Sequence, residues 1–423
     1  MSRTVVVPAA GAFEADDVVR QTEAIVSTVL RGGVLLSVAV IVAGMGYYFA
    51  LLFGGYGPDP AFPHTLAGLA RGLSHGQPLA IVVLGLLVLL ATPVLRVGVS
   101  VVAFALEGDR TFVAITLFVL AVLLFSIFGV GAWLGRAEPA MVADNSLRFF
   151  ALVFTASVFA GLVGAMVGLG GGVFIVPILT LVFRVPFESA IGASIVSVIA
   201  TSSGAAAAYV KDRMTNMRVG MFLEIATSLG AICGALLTTV LHADVLFIVF
   251  GAVLIVSVAP LMLRMKEEFP RGVRNHRWSK RLRLASSYPD ARAGREVAYR
   301  VAHVPTGFGM MYVAGVISGL LGIGSGTFKV LAMDTAMRLP MKVSTTTSNF
   351  MIGVTAAASA GIFFQRGDID PVIAAPVALG VLLGASLGAM GLTRLSNVWL
   401  RKLFVPVILL VAANMLARGL GVL

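Results

Sequence analysis

The chain has 423 residues, 58% apolar and only 12% charged, with a mean hydropathy of +0.99. That balance excludes a soluble globular domain, which needs far more polar surface, and assigns the chain to the membrane class. The formal charge of +11 does not argue for nucleic acid, because the basic residues cluster between apolar stretches, where positive-inside topology accounts for them. Cys233 is the single cysteine, so an intramolecular disulfide, a thiolate metal cluster and a CxxC redox pair are excluded.

In chain order, residues 1–29 read as a soluble N-terminal tail, with Glu14, Asp16, Asp17 and Glu23 against Arg3 and Arg20. The apolar stretch that follows is too long for a signal-peptide core and reads as a retained span. Spans near 30–54, 78–94 and 111–134 make a three-span N-terminal module, 30–134. Pro93 and Arg96 predict that its second span ends or kinks there, with 97–106 continuing along the interface.

A connection at 135–148 leads to spans near 149–181, 189–209, 220–241 and 245–264. A basic linker, 265–303, carries ten Lys and Arg against four acidic residues between 265 and 300, which places it in the cytoplasm. Further spans are expected near 304–333, 344–364, 371–393 and 402–420. The expected fold is therefore all-α and multi-pass, with about eleven transmembrane helices and the N-terminus outside. Arg401 and Lys402 would then lie outside as well, against the charge rule.

An offset of 154 residues superimposes GLGGGVFIVP at 168–177 on GIGSGTFKVL at 322–331 without a gap. The same offset pairs Arg184 and Pro186 with Arg338 and Pro340, Thr201 with Thr355, and Gly230 and Gly234 with Gly384 and Gly388. So long a register marks an internal duplication, 149–264 and 304–423. Four spans in each copy predict parallel repeats, with binding expected where the two interrupted helices meet.

The glycine runs admit two readings. If they interrupt their helices, backbone donors are freed to hold a small anion at the repeat interface. If the helices are continuous, the small residues serve close packing. No Lys-Ser/Thr ending or preceding strand supports a phosphate loop or dinucleotide fold.

Lys329 stands where the first copy has Ile175, and it must snorkel, pair or line a polar path. Asp334 is a geometrically weak partner for it if the segment is helical. KVSTTTSNF at 342–350 reads first as a helix cap, while Ser348 and Asn349 could complete an oxyanion shell. Glu224 reads first as an interfacial charge and second, with Asp334, as a proton-coupling group. Arg184 and Arg338 suit turns, or could steer anions toward an entrance. The scattered histidines suggest neither a metal site nor a catalytic triad.

With the paired GLGGG and GIGSG segments, GLVGAMVGLGGGVFIVPIL and GVISGLLGIGSGTFKVLAM, residues 150–420 resemble the TauE/SafE sulfite-exporter (TSUP) family. The resemblance implies a plasma-membrane permease for sulfite, sulfonate, thiosulfate or related organic anions. It implicates Gly168, Gly170, Gly171 and Gly172 with Gly322, Gly324, Ser325 and Gly326 in substrate binding; Ser325 departs from strict symmetry between the copies. ATPVLRVGVSVVAFALEGDR at 91–110 resembles the small DUF1634 domain, implying a packing or regulatory role for the N-terminal module.

The expectation is thus secondary anion transport without catalysis, metal or cofactor, with coupling to a proton or to sodium left open. The bilayer is a partner, nucleic acid is not, and homo-oligomerisation is left open. An anion channel and a membrane scaffold or sensor are the rival readings.

Overall fold

A computed structural model describes residues 10–55, 62–130, 146–167, 171–211, 214–262, 273, 276–290, 295–391 and 397–422. Among the described residues the architecture is all-α apart from one antiparallel hairpin in the linker, β1 (Ser286–Asp290) and β2 (Arg295–Tyr299), which the hydropathy pattern does not predict. Among the described residues, eight helices are long and apolar enough to cross a membrane, and shorter apolar helices accompany them.

The N-terminal module contains α1 (Ala10–Phe53), the short α2 (Leu66–Ser74), α3 (Pro78–Leu106) and α4 (Arg110–Phe125), whose end continues as a π-helical turn, Ser126–Val130. The backbone is helical from Ala10, so the expected tail is in part the first turns of α1. The expected break at Pro93 is also corrected, since α3 runs through it. Proline cannot donate to the Leu89 carbonyl, but the Thr92 hydroxyl does so instead at 2.7 Å, and the helix survives.

The first repeat comprises α5 (Leu147–Val167), α6 (Gly172–Pro177), α7 (Phe187–Lys211), α8 (Met217–Leu237) and α9 (Ala243–Met262). The linker adds α10 (Arg277–Arg281). The second repeat comprises α11 (Val304–Leu321), α12 (Gly326–Leu331), α13 (Met341–Arg366), α14 (Pro371–Gly391) and α15 (Asn397–Gly419). Matching π-helical turns, Ile178–Val182 and Ala332–Ala336, extend α6 and α12. Arg184 and Arg338, after these turns, both hold a left-handed φ of 54°. The 154-residue register is therefore a register of backbone geometry.

The segments expected as single spans at 149–181 and 304–333 are hairpins. The Phe149 and Phe183 rings lie edge to face with centroids 5.8 Å apart, so the first hairpin leaves by the face it entered. The Ala302 amide donates to the Met337 carbonyl at 3.0 Å, closing the second hairpin on the opposite face. Each repeat therefore changes face only through α7, α8 and α9, or through α13, α14 and α15. An odd number of crossings makes the repeats inverted, which corrects the parallel arrangement expected from sequence.

Inversion of the repeats removes the charge anomaly. The start of α15, with Arg401 and Lys402, falls on the face of the basic linker. The start of α1 also falls on this face, because α1 runs antiparallel to α3, with Gly44 against Val82 and Gly33 against Thr92. That face carries the excess of Lys and Arg that the positive-inside rule associates with the cytoplasmic side.

Inversion also explains the packing. Helix α5 packs on α14 across the repeats, and α11 packs on α8 in the same way. A Cβ on Gly161 would overlap the Val381 carbonyl; at the equivalent position, one on Gly315 would overlap the Thr227 carbonyl. Small residues let these backbones touch, which is how helices associate where lipid supplies no hydrophobic drive. The two equivalent helices α7 and α13 form the centre, with α13 buried along nearly its whole length.

Candidate functional site

The second glycine segment interrupts its helix, and the chain also reverses between α5, described to Val167, and α6, which begins at Gly172. In the second repeat α11 stops at Leu321, and Gly322, Gly324 and Ser325 take left-handed φ values of 67°, 70° and 47° before α12 begins. Glycine makes the first two free of strain, whereas Ser325 holds a conformation that its Cβ disfavours. Its equivalent, Gly171, is right-handed at φ −63°, so the loops differ in conformation where they differ in sequence. Gly168 and Gly170 lie outside the described residues.

The loops meet at the centre. Ser194 on α7 donates to the Gly322 carbonyl at 2.8 Å and lies 3.3 Å from the Gly172 carbonyl. Its equivalent, Ser348 on α13, donates to the Gly326 carbonyl at 3.1 Å. Ser348 thus spends its proton on holding the loop, while Asn349 is half-buried beside it. Ser344, Thr347 and Ser348 are buried, which corrects the reading of KVSTTTSNF as a solvent-facing cap.

Next to the second loop lies a chain of polar groups. Lys329 on α12 is fully buried, and its Nζ donates to Thr355 Oγ1 on α13 at 2.6 Å. Thr355 Oγ1 donates in turn to Glu224 Oε1 on α8 at 2.7 Å, and the Ser228 hydroxyl is 3.2 Å from the same oxygen. Glu224 is 1% exposed, which corrects the interfacial reading. Its Oε2 has no hydrogen-bond partner among the described residues. Lys329 pairs with this cluster, while Asp334 sits further along in the π-helical turn. Lysine and glutamate come from different repeats, so the cluster spans the repeat interface.

The cluster has no symmetric copy. The 154-residue offset replaces Lys329, Thr355, Glu224 and Ser228 with Ile175, Thr201, Ala378 and Leu382. One half of the pseudo-symmetric centre is charged and the other apolar.

The N-terminal module reaches the same centre. Arg96 on α3 is fully buried, donates through Nη1 to the Phe350 carbonyl at 2.7 Å, and lies 5.3 Å from the centre of the Phe350 ring. Its Nε and Nη2 have no partner among the described residues, and Glu224 is its charged neighbour. Arg96, expected at a helix end near the surface, is carried inside by the continuous α3. Thr92 and Ser203 hydroxyls at 3.0 Å, and the Ser126 hydroxyl on the Ala358 carbonyl, fasten the module to α7 and α13.

On the linker face, a cleft of about 320 Å³ lies between Glu107, Asp109 and Arg110 of the module, Arg218 of α8, and Arg281 and Arg283 of the linker. Arg218 bridges Glu107 at 3.1 Å and Asp109 at 3.3 Å. Arg338 opens on this face and Arg184 on the other, because the repeats are inverted, so they cannot serve one entrance together. Among the described residues, no cluster of His, Cys, Asp or Glu could hold a metal ion.

Inverted repeats, paired broken helices and a buried charge cluster between them define a multi-pass membrane transporter. Residues 152–415 match the family described as Sulfite exporter TauE/SafE, and the chain belongs to that family. Residues 26–128 match the family described as Protein of unknown function (DUF1634). The probable membrane transporter protein YunE of Bacillus subtilis is 26% identical over 282 residues, covering 64% of this chain and 98% of its own length. The probable membrane transporter protein YdhB of the same organism is 26% identical over 239 residues, covering 56% and 88%. A probable membrane transporter protein, ORF9, of Sinorhizobium sp is 22% identical over 274 residues, covering 65% and 95%. No solved structure matches the chain. The protein is a multi-pass plasma-membrane protein of a transporter family.

Proposed function

We propose that the protein is a secondary transporter of small anions, of the sulfite, sulfonate or thiosulfate class, and that the cluster between its repeats binds the anion and couples it to a proton. The observation that carries this reading is Lys329, a fully buried cation at the broken helix of one repeat, neutralised through Thr355 by Glu224 of the other. A buried pair of this kind is costly to keep and marks a working site by default. Family membership supports the class of substrate.

The chemistry follows from charge. With Glu224 ionised, Lys329 is balanced by the protein itself. A proton on Glu224 releases Lys329 to hold an anion, so anion and proton load together without changing the net charge of the low-dielectric centre. Gly171, Gly172, Gly322, Gly324 and Gly326 pack here against Val381, Ser194, Ile191, Val198 and Ile352, so the substrate reaches their backbone and Ser325, beside Lys329, when the repeats move apart. Inverted repeats give two conformations of similar energy that open to opposite faces. The arginine-lined cleft on the linker face draws anions toward that side.

The test is uptake of sulfite and thiosulfate into proteoliposomes under imposed pH or sodium gradients. Saturable flux driven by a pH gradient is expected. Flux that rises linearly with concentration would replace the carrier by a channel, and no flux from folded protein would leave a scaffold or sensor. Dependence on sodium alone would remove Glu224 from the coupling role.

A further inference from the structure

We infer that Arg96, a residue of the N-terminal module, is an anion-binding residue of the permease site, so that the module supplies part of the substrate's charge recognition. This rests on the transport reading above and adds to it a second cation and a preference for substrate charge.

The geometry carries the inference. Arg96 lies on α3 ten residues before its end at Leu106, about 15 Å along the helix axis from the linker face. Its side chain is fully enclosed and one donor is spent on the Phe350 carbonyl. Two donor groups, Nε and Nη2, remain unpartnered among the described residues. A guanidinium edge with two free N–H directions matches an oxyanion, which can accept both bonds at once. A structural arginine at this depth would be expected to fill those directions with carbonyls or a carboxylate, as its Nη1 does, because an unmet buried donor is expensive.

The charge count points the same way. Lys329 and Glu224 cancel, and Arg96 leaves the enclosed centre with one unbalanced positive charge. A monoanion loaded with one proton leaves that charge in place, whereas a dianion loaded with one proton balances it and so gains more from Arg96. Arg96 lies within residues 26–128, outside the permease region matched at 152–415, so its charge is one that the permease region does not itself supply.

The test compares thiosulfate, a dianion, with methanesulfonate, a monoanion; both stay fully ionised near neutral pH. Arg96→Met keeps volume and removes an expensive buried charge, so the chain is expected to fold. In proteoliposomes its half-saturating concentration for thiosulfate should rise about tenfold or more, the effect of losing charge-assisted hydrogen bonds, with a clearly smaller rise for methanesulfonate. A role confined to packing would shift both anions alike. A thiosulfate-to-methanesulfonate ratio equal to that of wild type overturns the inference. Arg96→Gln, also uncharged, makes the same comparison should the Met variant not fold. Failure of the transport reading looks different, because wild-type vesicles would then pass neither anion.

Discussion

Thr355 stands between Lys329 and Glu224, accepting from the ammonium at 2.6 Å and donating to the carboxylate at 2.7 Å with one hydroxyl. A single side chain of α13 therefore links α12 of its own repeat to α8 of the other. If the repeats move against each other, this link must break and reform, and it is the place where proton and anion can be exchanged.

Replacing Glu224 with Gln should uncouple the transporter. The amide cannot take up or release a proton, and Lys329 loses its counter-charge. Uptake of sulfite driven by an imposed pH gradient should vanish, while exchange of sulfite across equal pH persists. Retention of pH-driven accumulation in Glu224→Gln vesicles would assign coupling elsewhere. Stability should also fall, by roughly 3–5 kcal/mol for a buried pair stripped of one partner.

Thr355→Val isolates the hydroxyl, since it preserves shape and removes only the bridge. Lys329 and Glu224 each lose a buried hydrogen bond, so thermal unfolding in detergent should register a loss of about 1–3 kcal/mol. Thr201→Val, at the equivalent place in the first repeat, supplies the contrast. Among the described residues Thr201 bonds only to the carbonyls of Ser197 and Val198 on its own helix, so its loss should cost clearly less. Equal losses at both positions would mean that the bridge carries no special weight.

The inverted packing predicts a matched pair of close approaches. Gly161→Ala and Gly315→Ala each push a methyl group into a facing carbonyl, Val381 or Thr227, and overpacking of this kind typically costs about 1–3 kcal/mol. Gly309, on the same helix as Gly315, has nothing within 4 Å of its would-be Cβ. Gly309→Ala should instead be neutral or stabilise by up to about 1 kcal/mol through helix propensity. Unfolding midpoints of the three variants test the arrangement, and a neutral Gly315→Ala would contradict the contact.

Much of this arrangement could be read from the chain, and what could not has identifiable causes. The 154-residue register was legible because side chains and backbone turns obey it together, as Arg184 and Arg338 illustrate. The reversal at each glycine run was not, since an apolar segment has the same composition whether it crosses or turns back. A signal was nevertheless present: one helix over residues 149–181 would run about 50 Å, well beyond the roughly 30 Å of a hydrocarbon core. Arg401 and Lys402 on the wrong face gave a second warning. Lys329 was visible as an oddity, yet its link to Glu224 passes through Thr355, 131 positions away from that glutamate. Arg96 was misplaced because Pro93 suggests a helix end locally, while the Phe350 carbonyl that receives it is 254 positions distant.

Asp370 makes stability depend on pH at the face opposite the linker. It lies in the turn before α14, where its carboxylate accepts from the Val372 amide at 2.8 Å. Burial pushes its pKa up to about 6, with the Val372 and Ile373 amides opposing. Asp368, in the same turn, is also raised to about 6 by burial, against the Arg366 guanidinium 3.0 Å away and with Glu188 adding to the rise. From the usual value of 3.8 to about 6, the folded chain retains protons that the unfolded chain has released. Stability therefore falls as pH rises through that window, and the penalty is complete above it. For Asp370 it amounts to roughly 3 kcal/mol. Asp370→Asn keeps the acceptor for Val372 and abolishes the titration, so the decline in unfolding temperature between about pH 4 and 6.5 should become shallower than in wild type. Melting curves at stepped pH make the comparison, with wild type subtracted to remove the contribution of other groups. Parallel curves would show that Asp370 stays ionised in the folded chain throughout.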